Sequence, residues 1–394
     1  MAALAPAGTL PPVTGWTPRG ARLAVYLHLP FCAERCGYCS FNTAPYTRGG
    51  MTRFLEALRS EIDLVATAPW RAGITLGSLF FGGGTPSLAT PEQLGAILER
   101  LSARFALDPA AEITVECNPD DVTVERLTGY RRAGVNRISL GVQSLDERVL
   151  HTLDRRHSAV QARAAFEAAR AAGFDNVSCD LIYGLPGLDL ATWEATARRV
   201  IEWGPEHLSP YGLTLDEGSL WHASGVSGLP PEDTVTAQYW SLARLALAAG
   251  YEHYEVSNYA LPGRRSIHNQ VYWRGEEYLA LGPGACGYLG DVRYGNVKPV
   301  ERYCALVERG EPPVASHETL TPRQQLAERL MLGLRMRDGV PATWLAERVT
   351  QDPGRLPALL AEWKARGLLV DDGGRTRLTE AGFLLSDALF IEVL

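Results

Sequence analysis

Three cysteines, Cys32, Cys36 and Cys39, stand in the stretch Phe31-Cys-Ala-Glu-Arg-Cys-Gly-Tyr-Cys-Ser-Phe41 with the spacing C-x3-C-x2-C. Three thiolates this close in sequence suit one soft metal centre. A structural zinc site wants four protein ligands, usually as two separated knuckles, and no second C-x2-C or H-x3-H pair follows. His28 is near, but it lies inside the preceding apolar run. An iron–sulfur cluster with one iron lacking a protein ligand fits the count better, because an open iron binds a small chelating molecule. Further on, Phe80-Phe-Gly-Gly-Gly-Thr-Pro-Ser87 places three glycines at the end of an apolar run, where the backbone can approach a ligand's polar end. No G-K-[ST] follows, so this is not a phosphate-binding Walker loop. Polar residues then end three more apolar runs: Glu116 in EITVECNP, Gln143 in RISLGVQS and Asp180 in VSCDLIYGLPG.

The elements that must hold these residues are legible as an alternation. Apolar runs at 23–29, 78–82, 112–116, 137–143, 176–184 and 207–213 read as buried parallel strands, with helical patterns such as 51–66, 90–105 and 158–174 between them. Thr90 reads as an N-cap with Pro91 at the first helical position, and Gly173 as a helix stop. Six strand–helix repeats imply right-handed parallel crossovers and a partial (β/α)6 barrel, with a doubly wound sheet as the alternative. Polar residues at the C-terminal ends of barrel strands point into the mouth, where barrel chemistry sits. The chain divides on this reading into an N-terminal arm (1–20), the barrel (21–245), a connecting Gly- and aromatic-rich region (246–318) and a C-terminal unit (319–394). In the last, LLV and RTRLT flank a DDGG turn ahead of a final amphipathic helix, the outline of a winged-helix α+β domain.

Composition narrows the partners. The 394 residues are 46% hydrophobic and 21% charged, as in a folded globular protein. A net charge of −7 argues against nucleic acid, as does the C-terminal unit from Pro353 on, with five Lys and Arg against six acids. The start of the chain lacks a basic region and is broken by Pro6, Pro11 and Pro12, so it does not read as a signal peptide, and the expected location is cytoplasmic. No apolar run reaches the roughly 18 residues of a membrane span, leaving membrane contact at most peripheral. Seven cysteines, an odd number with four scattered singly, suggest metal or catalytic use over disulfides.

The triplet after the first strand, followed by the GGGTP element, resembles the radical S-adenosylmethionine (SAM) superfamily. There a [4Fe–4S] cluster binds the amino and carboxylate groups of SAM at its open iron, and SAM is cleaved to a 5′-deoxyadenosyl radical on reduction. YLHLPFC, FFGGGTPS, RISLGVQSLDERVLHTLDRRH, CDLIYGLPG and YGLTLDEGS narrow the resemblance to the oxygen-independent coproporphyrinogen III oxidases and the related HemW-type heme chaperones, over most of the chain. Carried over by motif, Cys32, Cys36 and Cys39 would ligate the cluster. Tyr26, Tyr38, Gly84, Thr85, Glu116, Gln143, Arg155 and Asp180 would contact SAM, with Arg156 and His157 adjoining Arg155. The oxidases extend the triplet to C-x3-C-x2-C-x-C and carry a longer N-terminal arm; here the fourth position is Phe41 and the arm is short, which favours the chaperone branch. Ile267-His-Asn-Gln-Val-Tyr-Trp273 resembles that branch's HNxxYW heme element. His268 is then the candidate heme ligand, with Tyr272 and Trp273 offering aromatic surface. Read without the resemblance, His268 and Asn269 cap a turn while Tyr272 and Trp273 pack in the core. In LGPGACGY, Cys286 stands where relatives commonly have His. The resemblance thus implies heme or porphyrin, a heme-acceptor protein and, if SAM is cleaved, an electron donor. The alternatives are SAM-dependent oxidative decarboxylation of coproporphyrinogen III, and RNA modification, which the acidic charge opposes.

Overall fold

The computed structural model describes residues 12–393, so residues 1–11 of the expected N-terminal arm lie outside the described residues. In chain order the strands are β1 (Arg22–Leu29), β2 (Thr75–Gly83), β3 (Ala106–Cys117), β4 (Arg137–Gln143), β5 (Val177–Tyr183), β6 (His207–Gly212), β7 (Glu252–Glu255), β8 (Asn258–Ala260), β9 (Tyr278–Leu281), β10 (Cys286–Leu289), β11 (Val292–Asn296) and β12 (Val314–Thr319). They form one sheet in the order β12-β11-β10-β9-β1-β2-β3-β4-β5-β6-β8-β7. From β9 to β6 all pairings are parallel. The sheet keeps two edges, so the barrel is open, and the six expected strands are its centre.

The strands read as apolar runs because helices cover them on one side and the barrel interior on the other. Six of the seven residues of β4 are buried. The covering helices begin as their sequences direct: Thr90 and Gln93 form a capping box ahead of Pro91–Arg104, and Ser158 and Gln161 another ahead of Ala159–Ala171. Gly173, at φ +87°, follows the latter helix in the left-handed region that glycine adopts without strain. A seventh parallel strand, β9, lies beside β1 on the side away from β2. Its four residues, YLAL, are too short to show a period, which is why the region carrying it reads as irregular.

From Pro322 the chain builds a second apolar core around Leu330, Trp363, Leu378 and Phe383. Strands Leu369–Asp372 and Arg375–Leu378 pair around Gly373 and Gly374, both at positive φ, with Val340–Pro341 as a third strand. The expected final helix is two short ones, Glu380–Leu384 and Ser386–Val393, separated at Leu385. This unit docks on β7 and its neighbours. Val256 N–H donates to Arg335 O and Arg337 N–H to Tyr254 O, and Glu380 lies 2.8 Å from His253 Nδ1 and 2.7 Å from Arg337 Nη1. Among the described residues, no helix is long and apolar enough to cross a membrane.

Candidate functional site

Inside the open barrel lies a cavity of about 540 Å³. Tyr26, Gly84, Thr85, Glu116, Gln143, Arg155, Asp180 and His268 all line it, together with Cys32, Tyr38, Cys36 and Cys39. The topology alone accounts for the convergence: the strands are parallel, so their C-terminal ends and the loops that follow open at one mouth.

The cysteine loop runs between β1 and the helix Arg48–Val65 and is fixed by contacts far away in sequence. Gly37 N–H donates to Asp154 Oδ2 at 3.2 Å, and Gly37 O accepts from Trp221 N–H at 3.0 Å. A Cβ on Gly37 would meet the Trp221 indole at 2.5 Å, so glycine is required there. Tyr38 packs against the same indole at 6.0 Å. Donors face the sulfurs: Thr85 Oγ1 lies 3.6 Å from Cys32 Sγ, and Arg155 Nη1 3.9 Å from Cys36 Sγ. Burial pushes the Cys32 thiol up to about 11, with the Thr85 hydrogen bond opposing it, and burial raises Cys39 against the Phe41 N–H. Metal ligation would deprotonate these thiols, and hydrogen-bond donors at sulfur suit thiolates. No three Cys, His, Asp or Glu side chains among the described residues converge as a single ion requires. Cys32, Cys36 and Cys39 all stand on the wall of the one cavity. His28 is turned away, with Nδ1 3.0 Å from Tyr26 Oη and Nε2 2.8 Å from Asn42 O.

The glycine turn closes on this loop. Gly84 N–H donates to Leu29 O and Thr85 N–H to Phe31 O, both at 2.7 Å. Of the three adjoining residues, Arg155 faces the cavity, donating to Asn118 Oδ1 at 2.7 Å and Gly141 O at 3.0 Å. Arg156 pairs with Asp120, and His157 is buried against Val142 O. Gln143 sits at φ +61°, beside an irregularity in the β4–β5 pairing, a left-handed conformation that a non-glycine residue holds at a cost of about 1–3 kcal/mol. Deeper in, Asp180 accepts from Ser139 and Ser178 hydroxyls at 3.0 and 3.3 Å. Burial, with Asp180 adding to it, pushes the Glu116 carboxyl up to about 8, while Gly83 N–H opposes the rise.

His268 is fully buried, begins its helix beside Glu112, and stacks on Phe80 with ring centroids 5.0 Å apart. Its Nδ1 lies 2.9 Å from Ser78 Oγ and its Nε2 2.8 Å from Tyr272 Oη, so both ring nitrogens have partners. Burial, with Arg137 adding to it, holds the imidazole down to about 3 and hence neutral. Asn269 and Tyr272 also line the cavity, whereas Trp273 packs under the Arg335 guanidinium, 4.6 Å away, towards the C-terminal unit. Cys286 is exposed on β10 and outside the cavity lining; Asp216 is part of that lining. Sequence reasoning passed over Asn118, Arg137, Ser139, Ser209 and Tyr211, which line the cavity too. Ser139 and Ser209 share the period-two register of the residues at the strand ends, which was the available signal.

Comparison with known proteins agrees with this architecture. The pattern of the radical SAM superfamily matches residues 26–200, and that of the HemN C-terminal domain matches residues 320–385. The heme chaperone HemW of Mycobacterium tuberculosis is 40% identical over 380 residues, 94% of each chain. That of Bacillus subtilis is 34% identical over 375 residues, 93% of this chain and 98% of its own. Among solved structures, the coproporphyrinogen III oxidase HemN of Escherichia coli, a radical SAM enzyme, superposes with a TM-score of 0.82 over 95% of this chain and 90% of its own, at 24% identity. That last likeness bears on the fold.

Proposed function

This chain belongs to the HemW family of the radical SAM superfamily, and we propose that it binds heme and hands it to acceptor proteins. The observation that carries the reading is the 40% identity to a heme chaperone along 94% of both chains. Phe41 supports it, standing exposed at the cavity mouth where the oxidases have a fourth cysteine.

On this reading Cys32, Cys36 and Cys39 hold a [4Fe–4S] cluster, which supplies an open iron site and, when reduced, an electron. Thr85 and Arg155 hold the thiolate end of the site, while Tyr26, Tyr38, Gly84, Glu116, Gln143 and Asp180 surround SAM. Asp180 suits its positive charge, and so does Glu116 in its ionised form. Heme meets the HNQVYW segment, where His268 gives up its contact with Tyr272 to take the iron. The free thiols of the seven cysteines support a reducing, cytoplasmic setting. A cellular reductant and an apoprotein that receives heme are the implied partners.

The test is an anaerobic assay of the cluster-reconstituted protein with SAM and reductant, offered coproporphyrinogen III and, separately, heme followed by absorbance. Saturable heme binding and transfer to an apoprotein, without 5′-deoxyadenosine formation from coproporphyrinogen, is the expected result. Substrate-dependent 5′-deoxyadenosine with protoporphyrinogen would overturn the chaperone reading in favour of the oxidase.

A further inference from the structure

We propose that Arg137 is a carboxylate anchor on the floor of the cavity, and that the carboxylate it takes is a propionate of the bound porphyrin; this rests on the heme reading above. Arg137 opens β4 on the face that also presents Ser139, Gly141 and Gln143 to the cavity. Its side chain is only 2% exposed, yet among the described residues it makes no hydrogen bond. Its Nε is buried without a hydrogen-bond partner. Glu112 forms an ion pair with it at 3.9 Å, a contact too long for a hydrogen bond, so the guanidinium's donors stay unused. Glu112 is in any case committed, accepting from the backbone N–H groups of Ile267 and His268 and from the Ser266 hydroxyl.

A guanidinium offers five donors in a planar fork that matches a carboxylate. Burying such a group with its donors unused is costly, and a ligand that supplies the acceptors removes the cost. The other groups facing this floor leave room for one anion. Glu116 keeps its proton up to about pH 8, Asp180 already accepts from serine hydroxyls, and burial keeps His207 and His268 neutral. The SAM carboxylate is committed elsewhere on the family reading, since it belongs at the cluster. Arg137 and Gln143 are six residues apart, roughly 20 Å of extended strand, so one small ligand group cannot serve both ends of β4. A porphyrin meets the remaining requirement: its propionates lie on one edge, and its apolar body then faces Phe41 and Tyr211, which are 63% and 43% exposed along the same cavity.

The experiment compares heme with heme dimethyl ester, in one detergent, on the cluster-loaded wild type, Arg137→Met and Arg137→Lys. The wild type is expected to bind heme about tenfold or more tighter than the ester, as a charged hydrogen-bonded pair implies. Arg137→Met should lose that margin by weakening heme alone, and Arg137→Lys should keep part of it. Equal affinity of the wild type for heme and ester overturns the inference without any variant, even where Arg137→Met does not fold. So does a folded Arg137→Met that binds both as the wild type does, or that loses both equally, since the latter marks a purely structural role. A wild type that binds neither overturns the chaperone reading itself, and the inference with it.

Discussion

Glu116 carries a proton that the unfolded chain gives up much earlier. Its carboxyl moves from 4.5 to about 8 through burial and the neighbouring Asp180. Between those values the folded state binds more protons than the unfolded one, so this group's contribution to stability falls as pH rises through the window. A cationic ligand favours the ionised form. SAM affinity is therefore expected to rise with pH, by up to about tenfold per unit, and to level off above about 8. Calorimetric titration at several pH values measures this, and the profile should flatten in Glu116→Gln; an equally steep profile in that variant would move the proton to another group. For His268 the competing group is the Tyr272 hydroxyl, 2.8 Å from Nε2. Tyr272→Phe should tighten heme binding by the worth of one hydrogen bond, ~1 kcal/mol, while His268→Ala should abolish the heme band. Heme spectra and affinities unaltered in both variants would place the iron ligand elsewhere.

At the scale of elements, the glycine turn and the cysteine loop are one packed unit. A Cβ on Gly84 would stand 2.6 Å from Phe31 O and 2.7 Å from Pro30 C, both backbone atoms that have nowhere to go. Gly84→Ala is expected to cost about 1–3 kcal/mol and to lower the iron retained after reconstitution, read by melting temperature and iron assay together. Gly95→Ala is the control: on the helix Pro91–Arg104 its Cβ meets only Ala133 at 3.6 Å, so a gain of roughly 0.5–1 kcal/mol is expected with iron unchanged. Glu116 and Gln143, at the ends of β3 and β4, were legible in the sequence because a strand–helix alternation fixes which end of each strand faces the mouth, whereas Asp180, expected at a strand end, stands in the middle of β5. Arg137 and Glu112 were not, since a charge within or beside an apolar run looks the same whether it faces solvent, a partner or a cavity. Asn118 follows Glu116 by two residues and contacts Arg155, a pairing 37 positions apart that spacing cannot reveal.

For the whole molecule, the C-terminal unit is held to the rest of the chain by dispersed polar contacts: Glu380 to His253, Asp338 to Arg265, Gln325 to Arg19 and Glu328 to Arg293. Glu380→Ala is expected to loosen that docking by about 1.5–3 kcal/mol, seen as earlier hydrogen exchange in residues 320–393 with the barrel strands unchanged. A cooperative loss of protection in both would mean that the two cores fold as one. Trp273 and Arg335 make the same junction from the other side, so the segment carrying His268 rests on the C-terminal unit as well as on the barrel. What the sequence by itself determined was local: the cysteine spacing, the glycine turn, the strand–helix rhythm and its caps, and the hairpin at Gly373 and Gly374. Each depends on residues within a few positions of one another, where spacing and backbone preference are the physics. Only the tertiary structure decided that β9 joins β1, that both nitrogens of His268 are already taken, that Trp273 leaves the cavity, and that Arg137 ends on its floor with its Nε lacking a hydrogen-bond partner. Those facts depend on contacts between residues far apart in the chain, and burial and hydrogen-bond satisfaction at such contacts are set by the packed fold.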